Sequence, residues 1–225
     1  MYKIWSLALA VLLLTACNND NSTTTETTTT ETEMEMKAPA NEPSAPAGQL
    51  AQNFPDLFAY LEAQDSSFAM QHFLTPSEGA IESLPPVKME PEQLKPFEGF
   101  LIYNEDSTKA IDLFSYNYII TRRNGEVKLE EAGPDTEIAV IDVATNMRRR
   151  IFFSGPSVTV FEAKWNGDNE VIMAGAEQLQ NNSIKPIIWQ YNLADSTLQM
   201  YSYDEAVTAD MKGFMNKRRA PQRNL

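Results

Sequence analysis

From residue 100 onward, apolar side chains recur at every second position, and this period constrains the fold more than any other feature of the chain. An alternation of period two is typical of a β-strand that buries one face. Gly, Pro, Asn, Asp and Ser clusters separate about ten such segments, which favours short strands joined by tight turns. We therefore predict a mainly β domain over residues 100–205, built as an antiparallel meander with a short helix on its N-terminal side.

Two of the predicted strands have a clear apolar face. In one, we expect the alternate residues to share a face: Ile187, Trp189, Tyr191 and Leu193. In the other, we expect the same of Phe161, Ala163 and Trp165. The Asn-Gly pair in "NGDN" at 166–169 follows the second strand and favours a type I′ hairpin.

The β region contains an internal repeat. "EIAVIDVATNMRRRIFF" and "KPIIWQYNLADSTLQMYSY" share the plan strand, polar turn, strand, with Asp142 and Asn192 in matching positions. Between them, "VTVFEAKWNGDNEVIMAG" resembles the middle of a blade of TolB-like β-propellers. The resemblance implies blade-like sheets, but closed propellers need at least about four blades, more than this chain can supply. Two blade-like sheets packed together, or a small sandwich, are the architectures we expect.

The N-terminus has the pattern of a bacterial lipoprotein. Lys3 precedes the apolar run "IWSLALAVLLL", which is shorter than the ~20 residues that span a bilayer and fits a secretory signal. The run ends in "LTAC", which resembles the lipobox of bacterial lipoproteins. The resemblance implies that residues 1–16 are a signal peptide and that Cys17, the single cysteine of the chain, carries a lipid anchor.

Residues 17–49 are rich in Thr, Glu and Pro and have no aromatic side chain. Such a composition buries too little apolar surface to offset the entropy of ordering, so we predict a disordered tether. The overall layout resembles envelope lipoproteins of Bacteroidota, and the absence of aspartate after Cys17 favours the outer membrane, on its periplasmic or its surface side. The net charge of −13 argues against nucleic acid as a partner.

The remaining segments flank the β domain. Residues 50–99 contain a helical segment over 53–73, with Leu57, Phe58 and Leu61 on one face, which Asp65-Ser66-Ser67 breaks or restarts as a second short helix. A proline-rich connector packed on the domain follows. Residues 206–225 end in "KRRAPQR", which is typical of a basic solvated tail.

Motifs for catalysis are not evident. His72 is the single histidine, so the chain has no histidine pair, and a nucleophile-elbow G-x-S-x-G is absent. We therefore predict no cofactor, no metal site and no catalytic residue. The first function class is a non-catalytic module that binds an envelope protein or a glycan. The alternative is a small hydrolase that uses carboxylates on an envelope or dietary polymer.

Two groups of residues are candidates for a binding surface. Alternation places Arg148 and Arg150 on one face of a strand, where they would grip an anionic glycan or protein edge, or instead protect an exposed strand from aggregation. The second group comprises Tyr201 and Tyr203 with the outward polar residues of two neighbouring strands, namely Gln190, Asn192 and Gln199.

The tripeptide Asp-Ser-Thr occurs twice, at 106–108 and 195–197. It resembles the O-glycosylation motif of Bacteroidota envelope proteins, which would make Ser107 and Ser196 the acceptors. The alternative is that Asp and Ser simply form turns well.

Overall fold

The computed structural model describes residues 45–80, 84–123 and 126–218, and these form a mainly β, antiparallel fold. The helices are α1 (Ala45–Ala51), α2 (Pro55–Gln64), α3 (Pro91–Leu94) and α4 (Met211–Arg218). Single 3-10 segments lie at Met70–His72 and Lys95–Phe100. The signal peptide, Cys17 and most of the predicted tether lie outside the described residues.

Thirteen strands are described in this part of the chain. The first seven are β1 (Ser77–Ala80), β2 (Val87–Lys88), β3 (Ile102–Tyr103), β4 (Lys109–Asp112), β5 (Tyr118–Arg123), β6 (Glu126–Glu131) and β7 (Thr136–Asp142). The others are β8 (Met147–Ser154), β9 (Val158–Asn166), β10 (Glu170–Gln178), β11 (Ser183–Asn192), β12 (Thr197–Ser202) and β13 (Val207–Thr208).

The strands form two main sheets and a separate hairpin. One sheet, here called the large sheet, has the order β1-β12-β11-β10-β9, with β13 also paired to β11. The other, the small sheet, has the order β2-β8-β7-β4-β3, and β5 pairs with β6 alone. All pairings are antiparallel, so the prediction of a mainly β, antiparallel fold is confirmed.

Each face of the large sheet is buried against a different layer. On one face, Ile172, Ile188 and Tyr201 pack with α1, α2 and α4 in a cluster we call the helix core. On the other, Trp189 and Tyr191 pack with residues of the small sheet in the inter-sheet core. The alternation of period two in β11 therefore separates two cores, and all four residues predicted to share a face lie in the inter-sheet core.

Strand β9 departs from the predicted alternation. Phe161 lies in the helix core, whereas Ala163 belongs to the inter-sheet core. The cause is a β-bulge: Ala174 pairs with Glu162, but the next residue, Gly175, pairs with Val160, which leaves Phe161 as the extra residue. A bulge reverses the alternation on one side of it, and the sequence pattern gives no sign of this.

The domain limits also differ from those predicted. Helix α1 starts at Ala45, inside the range assigned to the tether, and Ala47 is completely buried in the helix core. Within the predicted tail, Met211–Arg218 form helix α4, and Met211, Phe214 and Met215 pack in the same core. The predicted connector contributes β1 to the edge of the large sheet. No helix within the described ranges has both the length and the apolar character needed to cross a membrane.

Candidate functional site

A concave cleft of about 500 Å³ lies on the large sheet and is the candidate site. Its lining residues are Glu78, Gly79, Glu170, Gln190, Asn192, Asp195, Thr197 and Gln199. They come from four neighbouring strands and from the turn between β11 and β12. Nearly all of them carry an amide, a carboxylate or a hydroxyl group, so the cleft presents hydrogen-bonding groups to a ligand.

The cleft occupies the helix-facing side of the sheet, beyond the part that the helices cover. Gln190 and Asn192 alternate with the inter-sheet residues Trp189 and Tyr191, so they share a face with Ile188 of the helix core. The same face is thus apolar where the helices pack and polar towards the end where β11 meets β12.

Cross-strand pairing arranges the polar residues in two rows. Gln190 pairs with Gln199, and Gln199 pairs in turn with Glu78 of β1. In the next row on this face, Asn192 lies between Glu170 of β10 and Thr197 of β12. Directly opposed side chains in such pairs have Cβ atoms about 5 Å apart, so each row forms a continuous polar ladder across the floor of the cleft.

The turn at one end of the cleft fixes a carboxylate. The side chain of Asp195 accepts hydrogen bonds from the hydroxyl of Thr197, at 2.7 Å, and from its backbone N–H, at 3.1 Å. These bonds, the hydroxyl first, lower the pKa of Asp195 below its ordinary value. The carboxylate is therefore ionised near neutral pH and contributes negative charge to the cleft.

The predicted polar residues lie in the cleft, whereas the predicted tyrosines are buried. Gln190, Asn192 and Gln199 line the cleft, as the alternation predicts for outward residues. The prediction that Tyr201 and Tyr203 lie on an open contact surface is wrong, since they are 3% and 2% exposed. The hydroxyl of Tyr201 nevertheless reaches two cleft residues.

Tyr203 is a core residue with a satisfied hydroxyl. Its ring lies 5.0 Å from that of Phe68 and 5.2 Å from that of Phe73, and its oxygen accepts a hydrogen bond of 2.8 Å from the backbone N–H of Ala69. Burial raises the pKa of Tyr203. The side chain therefore helps to join the segment after α2 to the large sheet.

The arginines at 148 and 150 are also engaged within the fold. Arg148 binds Asp112 through Nε at 2.9 Å and binds Glu137 through Nη1. Arg150 binds Glu137 at 2.5 Å, and its guanidinium lies 4.8 Å from the centre of the Phe153 ring. Both side chains do share one face, as predicted, but a surface that grips an anion with these charges is ruled out, because buried carboxylates already neutralise them.

Ser107 and Ser196 lie in hairpin turns, with positive φ angles of 57° and 61°. Ser107 is exposed and Ser196 is half-buried. Asn146 has a φ of 56° in the turn between β7 and β8, so the two repeated segments and the turn at Ser107 share the plan of strand, turn and strand. Their modification by a glycan stays a prediction.

The single histidine does not contribute to the cleft. Nδ1 of His72 lies 3.2 Å from a carboxylate oxygen of Asp204, and its ring lies 5.6 Å from that of Tyr203. Within the described ranges, no group of three or more His, Cys, Asp or Glu side chains is arranged to hold a metal ion.

Sequence reasoning missed Glu78, Glu170, Asp195 and Thr197 as members of a site. Glu78 could not be found, because β1 lies in the proline-rich segment and pairs with β12 across more than a hundred residues. Thr197, by contrast, shares its face with Gln199 by simple alternation. The chain matches no protein-family model, and neither a curated protein nor a solved structure has significant similarity to it.

Proposed function

We propose that this protein is a lipid-anchored envelope protein that binds a neutral glycan in the cleft of the large sheet. The observation that carries the proposal is the lining of the cleft, in which carboxamide, carboxylate and hydroxyl groups stand in cross-strand rows. Sugar hydroxyls both donate and accept hydrogen bonds, so they match rows of this kind. The lining contains no aromatic and no large aliphatic side chain, so it lacks the hydrophobic anchor residues that lie at the centre of a protein interface.

The negative charge of the lining further restricts the class of ligand. Glu78, Glu170 and Asp195 are acidic, and the lining contains no Lys, Arg or His. An anionic ligand placed against these carboxylates would be repelled, and such a juxtaposition of like charges lowers affinity. An acidic glycan or a phosphorylated ligand is therefore disfavoured, and a neutral glycan is the class that we expect.

A panel of immobilised tetrasaccharides tests this function. It should contain neutral oligomers of glucose, mannose, galactose and N-acetylglucosamine, together with anionic oligomers of galacturonic acid. We expect binding to at least one neutral oligomer and none to the anionic one. Replacing Gln190 with alanine should weaken the binding by about 10-fold, since one or two hydrogen bonds are lost.

Gln71 is exposed and lies outside the cleft. Gln71→Ala is therefore the matched control, because it removes the same kind of side chain at a position that does not contact the proposed ligand. Equal affinities for the wild type and Gln190→Ala would contradict the assignment of the cleft. Absence of binding to every neutral oligomer would contradict the glycan function itself.

The three carboxylates of the cleft favour a hydrolase as the second candidate. Glycoside hydrolysis uses a pair of carboxyl groups, one as acid and one as base or nucleophile. Incubation of the same oligomers with the protein distinguishes the two functions. Release of shorter oligomers that stops in Glu78→Gln or Glu170→Gln would favour the hydrolase, whereas binding with intact oligomers supports the binding module.

The anchor is tested through Cys17. We expect the mature protein to begin at a lipid-modified Cys17 and to partition into the detergent phase, because two or more acyl chains anchor a protein stably. Cys17→Ala should leave an uncleaved precursor or release the protein into the aqueous phase. The measurement is phase partition combined with the intact mass. A Cys17→Ala protein that is still cleaved and retained at the membrane would contradict the lipid anchor.

A further inference from the structure

We propose that Tyr201 is a positioning residue that turns the amide N–H groups of Gln190 and Gln199 towards the ligand and so selects sugars with vicinal hydroxyls. The inference rests on the proposed glycan function and adds to it the chemical group that the cleft recognises. It follows from the contacts of a single buried hydroxyl.

The hydroxyl of Tyr201 lies beneath two lining residues. Its oxygen is 3.1 Å from Oε1 of Gln199 and 3.5 Å from Oε1 of Gln190. The ring itself is buried in the helix core. Burial, and then the negative charge of Glu170, raise the pKa of Tyr201, so the phenol keeps its proton at neutral pH and can donate it.

A protonated phenol has one hydrogen and therefore donates to one carboxamide at a time. Both Oε1 atoms are nevertheless turned towards it, at the distances given above. Each carboxamide carries its two N–H donors on the other terminal atom, Nε2. Gln190 and Gln199 are direct cross-strand partners. We infer that a carboxamide whose Oε1 accepts from the phenol presents its Nε2 donors away from the phenol.

The carboxylates complete the pattern. Glu78 is the cross-strand neighbour of Gln199, and Glu170 lies in the adjacent row. A carboxylate accepts hydrogen bonds, whereas an amide N–H group donates them. Two adjacent sugar hydroxyls fit this set, because each can accept from an amide and donate to a carboxylate. A sugar whose adjacent hydroxyls are methylated can no longer donate.

Tyr201→Phe removes the hydroxyl and leaves the ring in place. In the free protein, we expect the side-chain amide ¹H–¹⁵N resonances of Gln190 and Gln199 to shift, while those of Gln71 stay unchanged. This arm needs no ligand, so it tests the hydrogen-bond network separately from the glycan function. Unchanged resonances of Gln190 and Gln199 would overturn the positioning role.

The second arm uses the neutral tetrasaccharides of the panel and their permethylated forms. The wild type should prefer the free oligomer by about 10-fold or more, because only free hydroxyls can donate to the carboxylates, and Tyr201→Phe should weaken the affinity for the free oligomer by roughly 5-fold, the value of about 1 kcal/mol. A tyrosine with a merely structural role would change the melting temperature but not the affinity.

A third variant, Gln199→Glu, keeps the shape of the side chain and replaces its N–H donors with a carboxylate oxygen. We expect it to lose binding of the free oligomers. If the wild type binds the neutral oligomers but Tyr201→Phe retains the full affinity, the positioning role is wrong and the glycan function stands. If the wild type binds none of them, the glycan function is wrong, and the resonances of the two amides still decide whether Tyr201 orients them.

Discussion

Gly175→Ala is expected to lower the free energy of unfolding by about 3 kcal/mol, because an added methyl group has no room at the β-bulge. A Cβ atom at this position would lie 2.1 Å from the backbone oxygen of Thr159 and 2.9 Å from Cα of Val160. Both contacts are with backbone, so no side-chain rotation relieves them. The neighbouring strand β9 has to shift, and with it the bulge that places Phe161 in the helix core.

Urea unfolding followed by tryptophan fluorescence measures this effect. Gly155→Ala is the matched control, since nothing lies within 4 Å of the position of its added Cβ. We expect the free energy of unfolding of this control to stay within about 1 kcal/mol of the wild-type value. Any change should be stabilising, because alanine lowers the conformational entropy of the unfolded chain. A Gly175→Ala protein as stable as Gly155→Ala would show that β9 moves without cost and that the bulge is not fixed by Gly175.

The fold could be predicted from the sequence where the interactions are local. Alternation in β11 assigns Trp189 and Tyr191 to one face, and the pair Asn166-Gly167 predicts the turn in which Gly167 has a φ of 69°. These features depend on residues a few positions apart. Alternation does not indicate, however, whether helices or a second sheet cover each face.

Features that depend on distant residues could not be predicted. The position of Phe161 follows from the pairing of β9 with β10, and the sequence of β9 alone does not encode the bulge. The cleft is similar: Glu78 reaches it through a pairing of β1 with β12. Its outward residues Gln190 and Gln199 could be named from alternation, but the concave site that they form with Glu78 and Glu170 could not.

The ion pairs of the arginine run at 148–150 could not be predicted from the sequence either. The sequence places Arg148 and Arg150 on one face, and an exposed cationic patch is the natural expectation for such a pair. Their carboxylate partners lie on other strands of the small sheet: Glu137 is on the neighbouring strand β7, and Asp112 is on β4, two strands and 36 residues away from Arg148. Without those partners the run looks like a surface for a ligand, and with them it is part of the interior of the small sheet.

Arg148→Met is expected to lower the free energy of unfolding by about 4 kcal/mol, because it leaves buried carboxylates without their cation. Asp112 and Glu137 are 1% and 2% exposed, and the side chain of Arg148 is itself only 12% exposed. Glu137 keeps Arg150 as a partner, but Asp112 loses its ion pair and retains only its hydrogen bonds to the turn that follows β4, including those from the backbone N–H groups of Phe114 and Ser115.

Two further variants separate the charge of Arg148 from its shape. Arg148→Lys keeps the positive charge but has no planar fork to bind both carboxylates, so its loss of stability should be intermediate. Arg122→Met removes an arginine from the exposed hairpin strand β5 and should change stability by less than about 0.5 kcal/mol. The order Arg122→Met, Arg148→Lys, Arg148→Met in increasing loss of stability, measured by urea unfolding at pH 7, is the expected result. If Arg148→Met were as stable as Arg122→Met, the ion pairs of Arg148 would contribute nothing, and the arginine would again be available as a surface charge.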